Sequence, residues 1–132
     1  MFLRHNQFSI ALFVVIFLLC LLPGSEVPKL GQEHLDKFLH FMLFGLFSFC
    51  TMVGVTKQYQ FPVLSSNVVK FTIVFSIIYG VTIEVFQGLL LEGRGFEWLD
   101  IAADTAGVFI GYFFFLVMMG KKSGAKFKFK AI

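Results

Sequence analysis

Four long apolar stretches constrain the fold of this chain more than any other feature of its sequence. The stretches run from about residue 8 to 22, 35 to 55, 68 to 91 and 98 to 119, and the connections between them contain Pro or Gly. A helix needs roughly 20 mostly apolar residues to cross the hydrocarbon core of a bilayer. The sequence therefore predicts an all-α, polytopic membrane protein, in which four transmembrane helices form a bundle and residues 1–132 form a single domain.

Composition excludes a soluble alternative, because the chain is 58% hydrophobic and only 14% charged over 132 residues. A soluble domain of this size leaves much of its surface in water and could not bury so much apolar area. Cys20 and Cys50 lie inside apolar stretches, so we expect neither a disulfide nor a zinc site. No small-x-small cleavage site follows the first stretch, and Leu19 is too bulky to precede a lipidated cysteine. We therefore expect the first stretch to remain as a membrane helix.

The Lys and Arg residues predict how the helices are oriented, because basic residues accumulate on the cytoplasmic side of a membrane. If both termini are cytoplasmic, eight of the 11 basic residues lie inside. Five of the eight belong to a basic tail over residues 120–132, which suits an anionic inner leaflet rather than nucleic acid. The eight are Arg4, Lys57, Lys70, Lys121, Lys122, Lys126, Lys128 and Lys130, against Lys29, Lys37 and Arg94 outside.

All eight acidic residues fall at the outer end in this orientation, either in a connection or in the outer part of a helix. The positive-inside rule does not require this segregation of the acidic residues, because acidic residues contribute little to the orientation of a membrane protein. Ionisable side chains within membrane spans are costly, so they face the bundle interior or water and suggest a functional site. The segregation of the acids therefore indicates a site at the outer level.

Three helices supply polar side chains to that level. Asp36 and His40 are four residues apart at the start of the second helix and so share one face. In the third helix, Glu84 and Gln87 are three apart, and Glu84 lies about 10 Å below the interface at 1.5 Å per residue. We predict one outward-opening cavity that is lined by seven ligand-binding residues: Asp36, His40, Glu84, Gln87, Arg94, Asp100 and Asp104.

The fourth helix carries its acids and two glycines along a single stripe. Asp100, Asp104, Gly107 and Gly111 follow one another at spacings of four, three and four. A Gly-x-x-x-Gly pair lets the backbone of another helix approach closely. We therefore assign Gly107 and Gly111 to helix packing, and we expect that packing to hold the aspartates above them in place.

Arg94 stands out in the connection before the fourth helix, because a glycine lies on each side of it. A guanidinium can bind a phosphate or carboxylate through two parallel hydrogen bonds, which an ammonium cannot do. The flanking Gly93 and Gly95 allow the backbone to approach a ligand closely. Arg94 is therefore the candidate that would meet an anionic group.

These residues also resemble a known family. Asp36-Lys37-x-x-His40-Phe41, Glu84-x-x-Gln87, Gly93-Arg94 and Asp100-Ile101-x-x-Asp104-Thr105-x-Gly107 look like the VanZ-like family of bacterial membrane proteins, in the right order. The resemblance implies a multi-pass protein of the bacterial cytoplasmic membrane. The founding member of the family is associated with low-level resistance to teicoplanin, a lipid-bearing glycopeptide. One position departs from the pattern, because the family usually has asparagine where this chain has Asp104.

The first functional hypothesis is a non-enzymatic protein that acts at the outer leaflet on an anionic amphiphile. Such a ligand is an envelope lipid, a lipid-linked precursor or a lipoglycopeptide antibiotic, and membrane lipids are the expected partners. Arg94 would contact the anionic head group. The acidic and imidazole side chains would orient the head group or its sugar hydroxyls.

Two other functional classes remain open. A membrane-embedded hydrolase or transferase could use His40 as a general base that Asp36 orients, but no Ser, Thr or Cys nucleophile motif accompanies them. An accessory or assembly subunit would use the polar groups only to lock helices together. A metal held by the acids and His40 is disfavoured by the arginine in the same set, so we expect neither a metal nor another cofactor.

The orientation gives a direct prediction. Single cysteines at Lys57 and Glu92, in a chain without Cys20 and Cys50, should react differently with a membrane-impermeant thiol reagent on intact cells. We expect labelling at position 92, and labelling at position 57 only after the cells are opened. Labelling of position 57 but not position 92 on intact cells would reverse the orientation.

Overall fold

The computed structural model describes residues 2–20, 22, 32–58, 60–91 and 95–122, and for residues 32, 33 and 120–122 only the backbone. Within these ranges the chain forms helices and no strands. Four of the helices are long and apolar enough to cross a membrane, so the predicted fold class is confirmed. The helices are α1 (Phe2–Cys20), α2 (Gln32–Lys57), α3 (Pro62–Ser66), α4 (Val68–Leu90) and α5 (Trp98–Lys122).

The structure differs from the sequence prediction at several helix ends and in one connection. The first helix starts at Phe2 rather than near residue 8, since its polar residue Asn6 is buried and donates to the Phe2 carbonyl at 3.0 Å. The last helix extends to Lys122. The short helix α3 was not predicted. Pro62 is its first residue, a position where the backbone N–H has no partner within the helix, so the missing N–H of proline costs no hydrogen bond.

The order of the helices gives the bundle two distinct ends. Helices α1 and α4 finish at the end where α2 and α5 begin, and we call this the acidic end. The opposite end, where α1 and α4 begin and α2 finishes, we call the basic end. Helix α2 packs against α1, α4 and α5, so it is the centre of the bundle.

Aromatic side chains fill the middle of the bundle between α1, α2 and α4. Tyr79 stacks on Phe13 with ring centroids 4.2 Å apart, and its hydroxyl donates to the Phe13 carbonyl at 2.6 Å. Phe44 and Phe47 of α2 are buried beside Tyr79. The hydroxyl of Tyr79 thus finds a partner without water, as a polar atom in a membrane must.

Helices α2 and α5 make a close backbone contact through glycines of both helices. A Cβ atom on Gly107 would collide with the Phe41 carbonyl, and one on Gly111 would collide with the Gly45 carbonyl and the Ser48 hydroxyl. Gly45 itself faces the Gly107 carbonyl. The backbones of α2 and α5 can therefore lie this close only because these positions carry no side chain.

Replacing a glycine at this contact should destabilise the bundle. We expect Gly107→Ala to lower the free energy of unfolding in detergent by about 1–3 kcal/mol, because the new methyl group meets backbone rather than a movable side chain. Gly95→Ala is the matched control, since a Cβ there has nothing within 4 Å. Equal stability of the two variants would show that α2 and α5 do not depend on this contact.

Candidate functional site

Charged side chains from three helices meet at the acidic end of the bundle. The first turns of α2 and α5 and the last turns of α4 lie side by side there, so acids that are far apart in sequence become neighbours. We call the resulting group the polar cluster, and it consists of Asp36, Lys37, His40, Glu84, Asp100 and Asp104. His40, Glu84, Asp100 and Asp104 are each at most 4% exposed.

A hydrogen-bonded pair between α2 and α5 lies at the centre of the polar cluster. His40 Nδ1 is 2.9 Å from Asp104 Oδ1, and both side chains are buried. The imidazole lies parallel to the ring of Phe44, and it also interacts with the side chain of Cys20. Asp104 thus supplies the carboxylate at Nδ1, the place where a histidine base is normally oriented by an acid.

Lys37 joins the cluster through an ion pair that the sequence analysis did not anticipate. Its Nζ lies 2.7 Å from Glu97 Oε2 and 3.3 Å from Asp100 Oδ1. Glu97 and Asp100 are three residues apart at the start of α5, so both can face one lysine on the neighbouring helix. This three-residue spacing was the feature of the sequence from which the ion pair could have been predicted. Lys37 places a positive charge at the rim, where its side chain is 21% exposed.

Glu84 of α4 is fully buried and lies against the start of α5. Its Oε2 accepts a hydrogen bond from the backbone N–H of Glu97 at 3.1 Å, next to the positive end of the α5 dipole. Its Oε1 has no hydrogen-bond partner among the described residues. Glu84 is close enough for its charge to interact with those of His40, Asp100 and Asp104. It therefore borders the same group from the α4 side.

Asp104 leaves a second carboxylate oxygen without a partner. Its Oδ2 makes no hydrogen bond within the described part of the chain. That oxygen lies toward α4, where it is 2.7 Å from the position that a Cβ on Gly80 would occupy. The absence of a side chain on Gly80 makes room for the carboxylate between α4 and α5.

Gln87 is used differently from the other candidate residues. It is buried, and its Nε2 donates to the carbonyl of Cys20 at 2.9 Å. The amide thus connects α4 to the last turn of α1 and caps one carbonyl of that helix end. The structure brings the four acids Asp36, Glu84, Asp100 and Asp104 together with His40, and it directs Gln87 toward α1.

Arg94 and its neighbours Glu92 and Gly93 lie outside the described residues. The role assigned to Arg94 therefore stays a prediction from the sequence. The described residue nearest to it is Gly95, which is exposed. Leu91 and Gly95, the described residues on either side of this segment, lie at the acidic end, after α4 and before α5.

The donor atoms of the polar cluster suit hydroxyl groups and cations. One donor atom each of Asp36, His40 and Asp100 lies within 4.8 Å of the other two. Carboxylates accept hydrogen bonds and cannot donate them when ionised. The described part of the cluster is thus rich in acceptors, and its lysine, Lys37, supplies a positive charge.

The comparisons with known proteins agree with the resemblance in the sequence motifs. No curated protein and no solved structure matches the chain. A family model described as VanZ/LLP1 matches residues 2–119 of the 132. The matched region contains all four membrane-spanning helices and every residue of the polar cluster. The chain therefore belongs to the VanZ/LLP1 family of membrane proteins.

Proposed function

We propose that the polar cluster recognises the head group of an anionic amphiphile at the outer face of the bacterial cytoplasmic membrane. The acidic end then faces outward and both termini are cytoplasmic, in keeping with the distribution of Lys and Arg in the sequence. The ligand is an envelope lipid, a lipid-linked precursor or a lipoglycopeptide. Buried carboxylate oxygens that have no partner among the described residues are the observation that carries the proposal.

The unpartnered oxygens match a ligand that brings hydrogen-bond donors. An unpaired polar atom in a membrane costs several kcal/mol, so a chain that keeps one has a use for it. Glu84 Oε1 and Asp104 Oδ2 are such atoms in the described ranges. The hydroxyl groups of a sugar or of glycerol donate hydrogen bonds, and these oxygens can accept them.

The negative part of the ligand is assigned to Arg94. The polar cluster has four carboxylates, and the charge of its one lysine is already shared between Glu97 and Asp100. An anionic group therefore needs a further cation. Arg94 lies in the connection at this end of the bundle, and its planar fork suits phosphate or carboxylate.

A second function is supported by the bonds that cross between helices. Glu84 ties α4 to the start of α5, His40 and Asp104 tie α2 to α5, and Gln87 ties α4 to α1. An accessory or assembly subunit would need only these locks. The locks use one oxygen of Glu84 and one of Asp104, and they give no role to the other oxygen of each. Head-group recognition gives a role to the unpartnered oxygens and leaves the oxygens in the locks where they are.

The test concerns Arg94. Arg94→Lys keeps the charge but loses the two-bond fork, so we expect ligand binding to fall strongly while the protein accumulates normally. Arg94→Ala should also bind poorly, with at most a moderate loss of stability. Binding is measured by native mass spectrometry on protein in nanodiscs, with phosphatidylglycerol, an undecaprenyl-linked phosphate and teicoplanin as separate probes.

Arg4→Ala is the matched control, because Arg4 is the chain's other arginine and lies at the basic end. It should leave binding unchanged. A purely structural Arg94 would pair with Glu84, and its loss would leave a buried charge unpaired at about 3–5 kcal/mol. The Arg94→Ala protein would then be degraded. Restoration of both protein level and binding by Glu84→Gln would falsify the head-group role.

A further inference from the structure

We propose that the polar cluster holds a divalent cation, ligated by Asp36 and Asp100 through carboxylate oxygens and by His40 through a ring nitrogen. Binding of the ion does not depend on the proposed function. Its use as a bridge to the phosphate of a head group does rest on that function. The sequence alone argued against a metal because of Arg94, and the geometry of the described residues changes that expectation.

The donor atoms are already gathered for an ion. One atom of each of the three residues lies within 4.8 Å of the other two, and they come from two helices that are held together by the glycine contact. Ligand bonds to Zn²⁺ are about 2.0–2.2 Å, so donors around such an ion are at most roughly 4.4 Å apart. The limit of 4.8 Å on the donor separations is therefore close to the spacing that an ion imposes.

The neighbouring side chains hold the three ligands in the way that metal sites require. Ligand histidines and carboxylates are usually fixed by further hydrogen bonds or charges. Asp104 Oδ1 is 2.9 Å from His40 Nδ1 and fixes the ring. Lys37 Nζ is 3.3 Å from Asp100 Oδ1, and this buried oxygen makes no hydrogen bond within the described residues, so it can accept an ion.

Independent support comes from two oxygens that are not in the ligand set. Asp104 is 1% exposed; its Oδ1 is directed at the His40 ring, and its Oδ2, which lies toward Gly80 of α4, has no hydrogen-bond partner in the residues described. Glu84 is 0% exposed, borders His40 and Asp100, and leaves Oε1 equally unpartnered there. Buried carboxylates of this kind repel one another at low dielectric. A doubly charged ion among them offsets that repulsion.

The donor set also indicates the class of metal. Carboxylate oxygens favour Mg²⁺, Ca²⁺ and Mn²⁺, whereas imidazole favours Zn²⁺, Cu²⁺, Fe²⁺ and Ni²⁺. Two carboxylates with one imidazole therefore suit Mn²⁺ or Zn²⁺. An ion with three protein ligands keeps open positions, and a phosphate oxygen can fill one of them.

Mn²⁺ is the probe for the test, because its unbound form has a strong electron paramagnetic resonance signal that is lost on binding. The full chain in phosphatidylcholine nanodiscs should bind one Mn²⁺, and the pulsed spectrum should show coupling to an imidazole nitrogen. Asp100→Asn and His40→Gln should each weaken binding about tenfold or more. His5→Gln is the matched control for His40→Gln, since His5 lies near the start of α1 at the basic end, away from the polar cluster; it should bind nearly as well as the unchanged chain.

Lys37→Gln distinguishes a metal site from a purely structural cluster. It removes the positive charge beside Asp100, so we expect Mn²⁺ to bind more tightly. Binding no stronger than to empty nanodiscs, or a bound ion without nitrogen coupling, would overturn the proposal. The nitrogen coupling is measured on the unchanged chain, so the test stands even if the variants fail to fold.

Amphiphile binding with and without Mn²⁺ separates this proposal from the proposed function. Amphiphile binding without any Mn²⁺ binding would contradict the cation site alone. Mn²⁺ binding without amphiphile binding would support the site and contradict the function. Amphiphile binding that a chelator weakens would support the bridge between the ion and a phosphate.

Discussion

The backbone contact between α2 and α5 determines where the charged side chains of this protein lie. Gly107 and Gly111 let α5 approach Gly45 and Ser48 of α2, and any side chain at those glycines would collide with backbone or with Ser48. The first turns of the same two helices carry most of the polar cluster. Since helices are stiff over this length, the glycines in the middle fix the distance between His40 and Asp104 one to two turns away. Packing in lipid thus produces the geometry of the site.

The geometry of the site matters because the membrane interior supplies no water to hydrate buried charges, which therefore need partners within the protein. Each buried acid is held by a partner on another helix: Asp104 by His40, Asp100 by Lys37, and Glu84 by the start of α5. These bonds stabilise the bundle, yet they leave carboxylate oxygens in the described ranges without a partner. The same residues can therefore lock the helices and receive a ligand. A metal ion or a hydroxyl-rich head group would bind the carboxylate oxygens that these bonds leave without a partner.

The sequence predicted the four spans well because hydrophobic length alone defines them. It predicted that Asp36 and His40 share a helix face and that Gly107 lies at a helix contact, since both follow from helical spacing. It did not predict that Asp104 lies at His40 Nδ1, because a contact between distant helices depends on their rotation, which spacing does not fix. For the same reason, the sequence did not predict the ion pair of Lys37 or the hydrogen bond from Gln87 to the end of α1. Helix α3 was missed because five residues carry too weak a pattern.

Head-group recognition is tested most directly by an experimental structure of the chain in a lipid bilayer that contains an anionic amphiphile. Recognition of a head group predicts density for it at the acidic end, in contact with Arg94 and with Glu84 or Asp104. The alternative in which the polar residues only lock helices predicts that Arg94 itself fills this space and pairs with Glu84. A structure with that pair, and with lipid head groups only around the outside of the bundle, would contradict head-group recognition.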